Sequence, residues 1–298
     1  MTVTAVTPST SATAHTTAPV GSPMADAYTR LAEAFDGLRI VERAAHEPAP
    51  RGAGWVGADE LAAGGAALDA FLDWDDAQVL RDYGLQARPD VVASFGLHRY
   101  AWPACLLFTV PWFLSRRVPR LPAAQVAFHR TLGRMAVHVE GFACLPDDPA
   151  AALPGARVVP DEEALREEVR AAVAQHLGPV LEGFGPRMRR GRRALWGMVT
   201  DEVVESLWYA GRLLGEEHRA MAELEALLPG STAPYTGGAG FRTLAGPNGE
   251  ELPTRDRASC CLFYTIRPED TCVTCPRTCD ADRLTRVRGS RPAAAASG

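Results

Sequence analysis

Apolar side chains recur every three to four residues over most of the chain, the period of a helix with one buried face. From Met24 the pattern sets Tyr28, Leu31, Phe35 and Leu38 on one side, and ADELAAGGAALDAFLDW, residues 58–74, fits a second helix. Residues 89–117 are apolar almost throughout. Pro103 and Pro111 each remove a backbone donor there, so the run predicts two or three helical pieces with Trp102, Phe108 and Trp112 turned inward. Residues 160–184 open with acidic side chains, which a helix N-terminus favours, and continue at helical spacing. Within 192–215, Leu195, Val199, Val203, Leu207 and Ala210 form one stripe with Trp196 and Trp208 beside it, and Gly215 suits the stop. EHRAMAELEALL adds a shorter helix that Pro229 ends.

The period changes to two between Ala124 and Leu145. Met135, Val137 and Val139 fall on one side and Ala136, His138 and Glu140 on the other, which predicts a short antiparallel strand pair. Pro-Asn-Gly at 247–249 lies between two extended runs and predicts a hairpin. The expected fold class is therefore α+β and mainly helical, with a helical body over 24–235, a small antiparallel strand pair, and a loop-rich C-terminal region over 236–289. Residues 1–23, rich in Thr, Ser, Ala and Pro, and residues 290–298 read as disordered tails.

Composition narrows the partners. The chain has 298 residues, 47% of them hydrophobic, and a formal net charge of −5, which lacks the basic field that draws proteins onto nucleic acid. All 31 basic residues are arginine, so RMRRGRR at 187–193 reads as the solvated start of a helix rather than as an anion site. CLLFTVPWFL, residues 105–114, is too short for a membrane span, which needs about 20 apolar residues, and no charged leader with an apolar run opens the chain. A cytoplasmic protein without an integral membrane segment is expected.

In a reducing compartment, clustered thiols are more often metal ligands or redox centres than stable disulfides. Five of the seven cysteines lie in SCCLFYTIRPEDTCVTCPRTCD, residues 259–280. Cys272 and Cys275 form C-x2-C, a spacing shared by zinc knuckles, dithiol oxidoreductases and iron-sulfur sites. Cys260 beside Cys261 is the sharper feature, because neighbouring side chains on a regular strand point to opposite faces and two consecutive ligands require a local bend. The full pattern C-C-x10-C-x2-C, with Arg257 and Ser259 before it and Pro276 after it, resembles the C-terminal motif of the FhuF-like ferric siderophore reductases. LWGMVTDEVVESLW, residues 195–208, is more loosely similar to a helix that family members carry ahead of the motif. The resemblance implies a 2Fe-2S cluster held by Cys260, Cys261, Cys272 and Cys275. It also implies one-electron reduction of a ferric siderophore, for instance of the hydroxamate type, with release of Fe(II).

Other readings stay open at this point: a 2Fe-2S electron carrier or redox sensor without a siderophore substrate, and a zinc-stabilised interaction module. Cys279 is a fifth thiol near the same turn, while Cys105 and Cys144 read as small buried hydrophobes. Arg255, Arg257, Arg267 and Arg277 flank the thiols, where positive charge favours a reduced cluster, or else they pair with Asp256, Glu269, Asp270 and Asp280. TGGAGF at 236–241 lacks the spacing of a dinucleotide-binding loop, so electrons are expected from an external donor such as a ferredoxin or a flavin-dependent reductase. Candidates for lining a substrate cleft are His98, Tyr100, Trp102, His129, His138, Trp196 and Trp208.

Overall fold

The computed structural model describes residues 22–247 and 249–290, so the two expected tails lie almost wholly outside the described residues. In chain order the first half runs α1 (Ala25–Ala34), β1 (Arg39–Glu42), β2 (Trp55–Gly57), α2 (Ala58–Ala63), α3 (Ala66–Tyr83), α4 (Pro89–Ser115) and β3 (Arg117–Arg120). There follow β4 (Val126–His129), β5 (Arg134–Val137), β6 (Gly141–Cys144), β7 (Ala156–Val158), α5 (Glu162–Met188), α6 (Arg192–Leu213) and α7 (Glu217–Leu227). The chain ends with β8 (Phe241–Ala245), β9 (Glu251–Arg255) and α8 (Asp280–Ser290). It is a mainly helical α+β fold.

The axis of the fold is α4, which packs against α1, α3, α5 and α6. Its almost uniformly apolar sequence follows from that position, since a helix surrounded by others has no face to give to water. It is one helix where the prolines predicted two or three pieces. Pro111 leaves the Leu107 carbonyl without its helical partner, and the Tyr28 hydroxyl of α1 donates to that oxygen at 2.9 Å. Phe108 and Trp112 are buried as expected, whereas Trp102 is half-buried and stands edge-on to Phe35 and Tyr209. The expected helix over 58–74 divides at Gly64, whose φ of +69° ends α2 in the left-handed region. α2 then lies so close to α5 that a Cβ on Gly183 would stand 2.2 Å from the Leu61 carbonyl oxygen.

The expected strand pair is present as β4 and β5, antiparallel with Val126 opposite Val137, inside a sheet of order β1-β5-β4-β2. Met135, Ala136 and Val137 are all buried, so the alternation in the sequence does not mark a wet face. A second sheet, β3-β6-β7, follows, and the predicted hairpin is β8–β9, with Phe241 opposite Arg255. One continuous hydrophobic core runs from Met24 to Ala239. Beyond Ala239 the described residues form two small apolar clusters, Ile266 against Val79 and Val91, and Leu244 with Leu252 under Val273 and Leu284. No helix among the described residues is long and apolar enough to cross a membrane.

Candidate metal centre

The bend that two adjacent cysteines would require to serve as ligands lies just after them. Leu262 has φ +70°, in the left-handed region that a bulky side chain rarely adopts, and its N–H donates to Cys260 Sγ at 3.5 Å. Ser94 of α4 donates to the Cys261 carbonyl at 3.0 Å. The second pair forms a tight turn, with the Cys275 N–H donating to the Cys272 carbonyl at 3.0 Å. The two turns bring the thiols close in pairs: Cys261 and Cys272 share a hydrogen bond, and Cys260 and Cys275 stand within electrostatic reach of each other. Cys261 and Cys275 are buried, while Cys260 and Cys272 are half-buried.

Among the described residues no group of three or more His, Cys, Asp or Glu side chains is placed to hold a metal ion. A binuclear core asks for something different, two sulfurs at each of two irons. The test of fit is the charge around the thiols. Four thiolates on a 2Fe-2S core leave an anionic centre, and a cation stands against each of the four cysteines. Arg190 donates to the Cys260 carbonyl at 2.8 Å, His98 bonds to the Cys261 sulfur, Arg257 Nη1 lies 3.9 Å from Cys272 Sγ, and Arg283 donates to the Cys275 carbonyl at 3.0 Å. The donor set and its surroundings fit such a cluster.

Titration follows the same geometry. The hydrogen bond from Cys272, aided against burial by His98, holds the Cys261 thiol well below the usual cysteine range. Cys272, the donor in that bond and itself half-buried, is raised. Burial works against the charge of His98, yet the Glu202 carboxylate touching its Nδ1 and the Cys261 sulfur together raise its pKa to about 9.

Helix α6 carries the anchor of this loop, and the sequence did not single it out. Asp201 is fully buried. It accepts from Arg255 Nη2 at 2.7 Å, from the Ala258 and Ser259 N–H groups at 2.8 Å each, and from the Ser259 hydroxyl at 3.2 Å. Glu205, one turn on, accepts from Arg255 at 3.0 Å and from Thr274 at 2.8 Å. The loop comes so near that a Cβ on Gly197 would lie 3.1 Å from Thr236 Oγ1 and 3.4 Å from the Ala258 carbonyl oxygen, which accounts for the glycine of the LWG segment. Arg255 is thus the buried partner of Asp201 and Glu205 rather than of Asp256, which pairs with Arg242 and Arg283. Arg267 pairs with Glu269 as expected, and Arg277 lies 4.1 Å over the Tyr264 ring.

A cavity of about 550 Å³ opens beside Cys272, Val273 and Thr274. Trp102, Trp208 and Tyr209 supply its aromatic wall, Arg99 and Arg212 line it as well, and His98, Arg257, Glu202 and Glu205 join it to the thiols. Three of the expected cleft residues, His98, Trp102 and Trp208, are there. The other four have structural partners elsewhere: Tyr100 with His176 at 2.7 Å, His129 with the Ala53 carbonyl at 3.1 Å, His138 with the Arg43 carbonyl at 3.2 Å, and Trp196 edge-on to Tyr235. Cys105 and Cys144 are buried, and burial raises both thiols. Cys279 is exposed and donates to Asp282 at 3.3 Å.

No curated protein matches the chain. Residues 257–277, the stretch from Arg257 through all four thiols, match the family model described as the FhuF 2Fe-2S C-terminal domain. The segment that α6 holds in place is thus of the FhuF 2Fe-2S C-terminal type, an iron-sulfur domain whose cofactor is a 2Fe-2S cluster.

Proposed function

We propose that this chain is a ferric siderophore reductase in which Cys260, Cys261, Cys272 and Cys275 ligate the cluster. The observation that carries the reading is the position of Cys272: it is at once one of the four thiols and part of the wall of a cavity within the range of about 300–1,000 Å³ usual for ligand sites. When bound, a 2Fe-2S cluster supplies one electron at a time. A ferric chelate resting on Trp102, Trp208 and Tyr209 would sit against the Cys272 edge. Fe(III) held by hard oxygen donors takes up that electron, and the resulting Fe(II) binds the same donors far more weakly.

The chain's own residues supply position and charge balance. The lining combines Arg99 and Arg212 with carboxylates Glu202 and Glu205, a mixed surface that suits an uncharged ferric trihydroxamate better than a highly anionic complex. The electron donor is external, a ferredoxin or a flavin-dependent reductase, and the cytoplasm is the compartment in which thiols and Fe(II) persist.

Single turnover tests the reading. Anaerobic, dithionite-reduced protein freed of excess reductant is mixed with a ferric trihydroxamate and an Fe(II)-specific chelator. The expected result is one trapped Fe(II) for each cluster reoxidised, and NADPH alone should leave the purified protein oxidised. A cluster that stays reduced in the presence of the chelate makes the chain a carrier or sensor instead, and colourless protein containing zinc removes the redox reading altogether.

A further inference from the structure

The four thiols have two accessible edges, and the cavity uses only one. Cys272 lines it; Cys260, equally half-buried, does not. Cys260 lies instead against the turn between α5 and α6, where Arg190 donates to its carbonyl at 2.8 Å. Five of the seven residues from Arg187 to Arg193 are arginines. Arg187 is taken by Asp69, and Arg189 lines a neighbouring cleft together with Asp73 and Asp76. Arg192 and Arg193 are exposed and form no ion pair among the described residues, and they stand on the first turn of α6, where the helix dipole adds positive potential. Within α5 the carboxylate nearest in sequence to the turn is Glu182, itself exposed. A local positive field on a chain of net charge −5 is the reverse of what the whole molecule presents.

We propose that the Cys260 edge and the α5–α6 turn are the docking surface for an acidic one-electron carrier protein, leaving the Cys272 edge to the chelate. The proposal rests on reading the four cysteines as cluster ligands. A protein interface covers about 800 Å² on each partner, enough to take in Arg190, Arg192, Arg193 and Cys260 together. Opposite charges across it set the encounter rate and the orientation, so the carrier's own centre arrives at the sulfur rather than elsewhere on the surface. The step makes no bond: the carrier is oxidised by one electron, and the cofactor here is reduced by one. Since the two edges are separate, carrier and chelate can be bound at the same time.

The test uses holo-protein, an acidic 2Fe-2S ferredoxin as carrier, and the double variant Arg192→Glu with Arg193→Glu. Glutamate in the first turn suits the dipole of α6, so the fold and the cluster spectrum should be retained. Two readouts are taken: binding of oxidised ferredoxin to immobilised protein, and the second-order rate of cluster reduction by reduced ferredoxin from about 20 to about 500 mM salt. For the unmodified chain the rate should fall by about tenfold or more across that range; for the variant it should be nearly flat, with low-salt binding weaker by about tenfold. Saturating gallium trihydroxamate, which cannot be reduced, should leave carrier binding unchanged. Equal binding and equal salt dependence in the two proteins overturn the proposal, as does displacement of the carrier by the gallium complex. Tighter binding of the unmodified chain to duplex DNA or to phosphatidylglycerol vesicles than to ferredoxin at the same salt also overturns it. If no ferric chelate is reduced but the charge-reversal effect is found, the substrate reading fails and the docking surface stands.

Discussion

Asp201 has no contact with water and satisfies one buried guanidinium and two backbone N–H groups of the cysteine loop. Asn at this position keeps the volume but points an NH₂ at donors and leaves Arg255 with Glu205 as its one carboxylate partner, a cost of about 3 kcal/mol for a buried pair broken on one side. Asp201→Asn is expected to lower iron and acid-labile sulfide per chain more than twofold while far-UV circular dichroism stays unchanged; full iron content in the purified variant would remove Asp201 from the account of the loop. The cysteine motif that the family model matches was legible in the sequence because adjacent cysteines have few structural uses. Asp201 was not, because an acidic residue on an amphipathic helix ordinarily marks the wet face. The signal present was positional: Met198, Asp201, Glu205 and Trp208 share one side of α6, so the carboxylates stand in line with side chains that are buried.

Elements were legible where the pattern is local and obscure where a distant residue supplies the missing bond. The stripe of α6, the β4–β5 pair and the β8–β9 hairpin follow from spacing and turn chemistry. The continuity of α4 does not, since the acceptor freed by Pro111 is satisfied by Tyr28, 79 positions away in sequence. The joint between α4 and α5 has a similar character and a measurable consequence. His176 of α5 is fully buried, its Nδ1–H donating to the Leu121 carbonyl at 2.9 Å, so its Nε2 is the acceptor for the Tyr100 hydroxyl of α4 at 2.7 Å. Burial, only partly offset by Leu121, lowers its pKa to about 4. Below the ordinary histidine value the unfolded chain takes up a proton that the folded one refuses, so stability present above about pH 6.5 is lost as pH falls toward 4, up to about 3 kcal/mol. Carboxylates titrate in the same window, so the comparison is with His176→Gln, which retains a donor and an acceptor but no titration. Urea unfolding at pH 7 and pH 4.5 should show the wild-type advantage over the variant shrinking by about 2 kcal/mol at the lower pH; a constant gap would mean that the imidazole titrates normally.

At the scale of the molecule, two parts of the chain are held by different forces. The body has a continuous apolar core that ends at Ala239, against which, among the described residues of the C-terminal region, Phe241 packs. That region is instead fastened by charged hydrogen bonds: Arg255 to Asp201 and Glu205, Thr274 to Glu205, and Arg283 to the Arg255 and Cys275 carbonyls. Its apolar clusters are too small to order some fifty residues against the backbone entropy of about 1–2 kcal/mol for each. Binding free energy from a cluster is folding free energy for the segment that ligates it, and little of that need reach α4, α5 and α6, whose packing involves none of the four cysteines. Removing the cluster anaerobically with a chelator and reductant is therefore expected to raise amide exchange across residues 255–286 by about tenfold or more, with α4–α6 changing less than about twofold. This division also tests the boundary near 236 inferred from the sequence. Exchange rising equally in the body would show that Asp201 transmits the loss through α6, and the C-terminal region would then be part of one cooperative unit rather than a cofactor-dependent one seated on a stable frame.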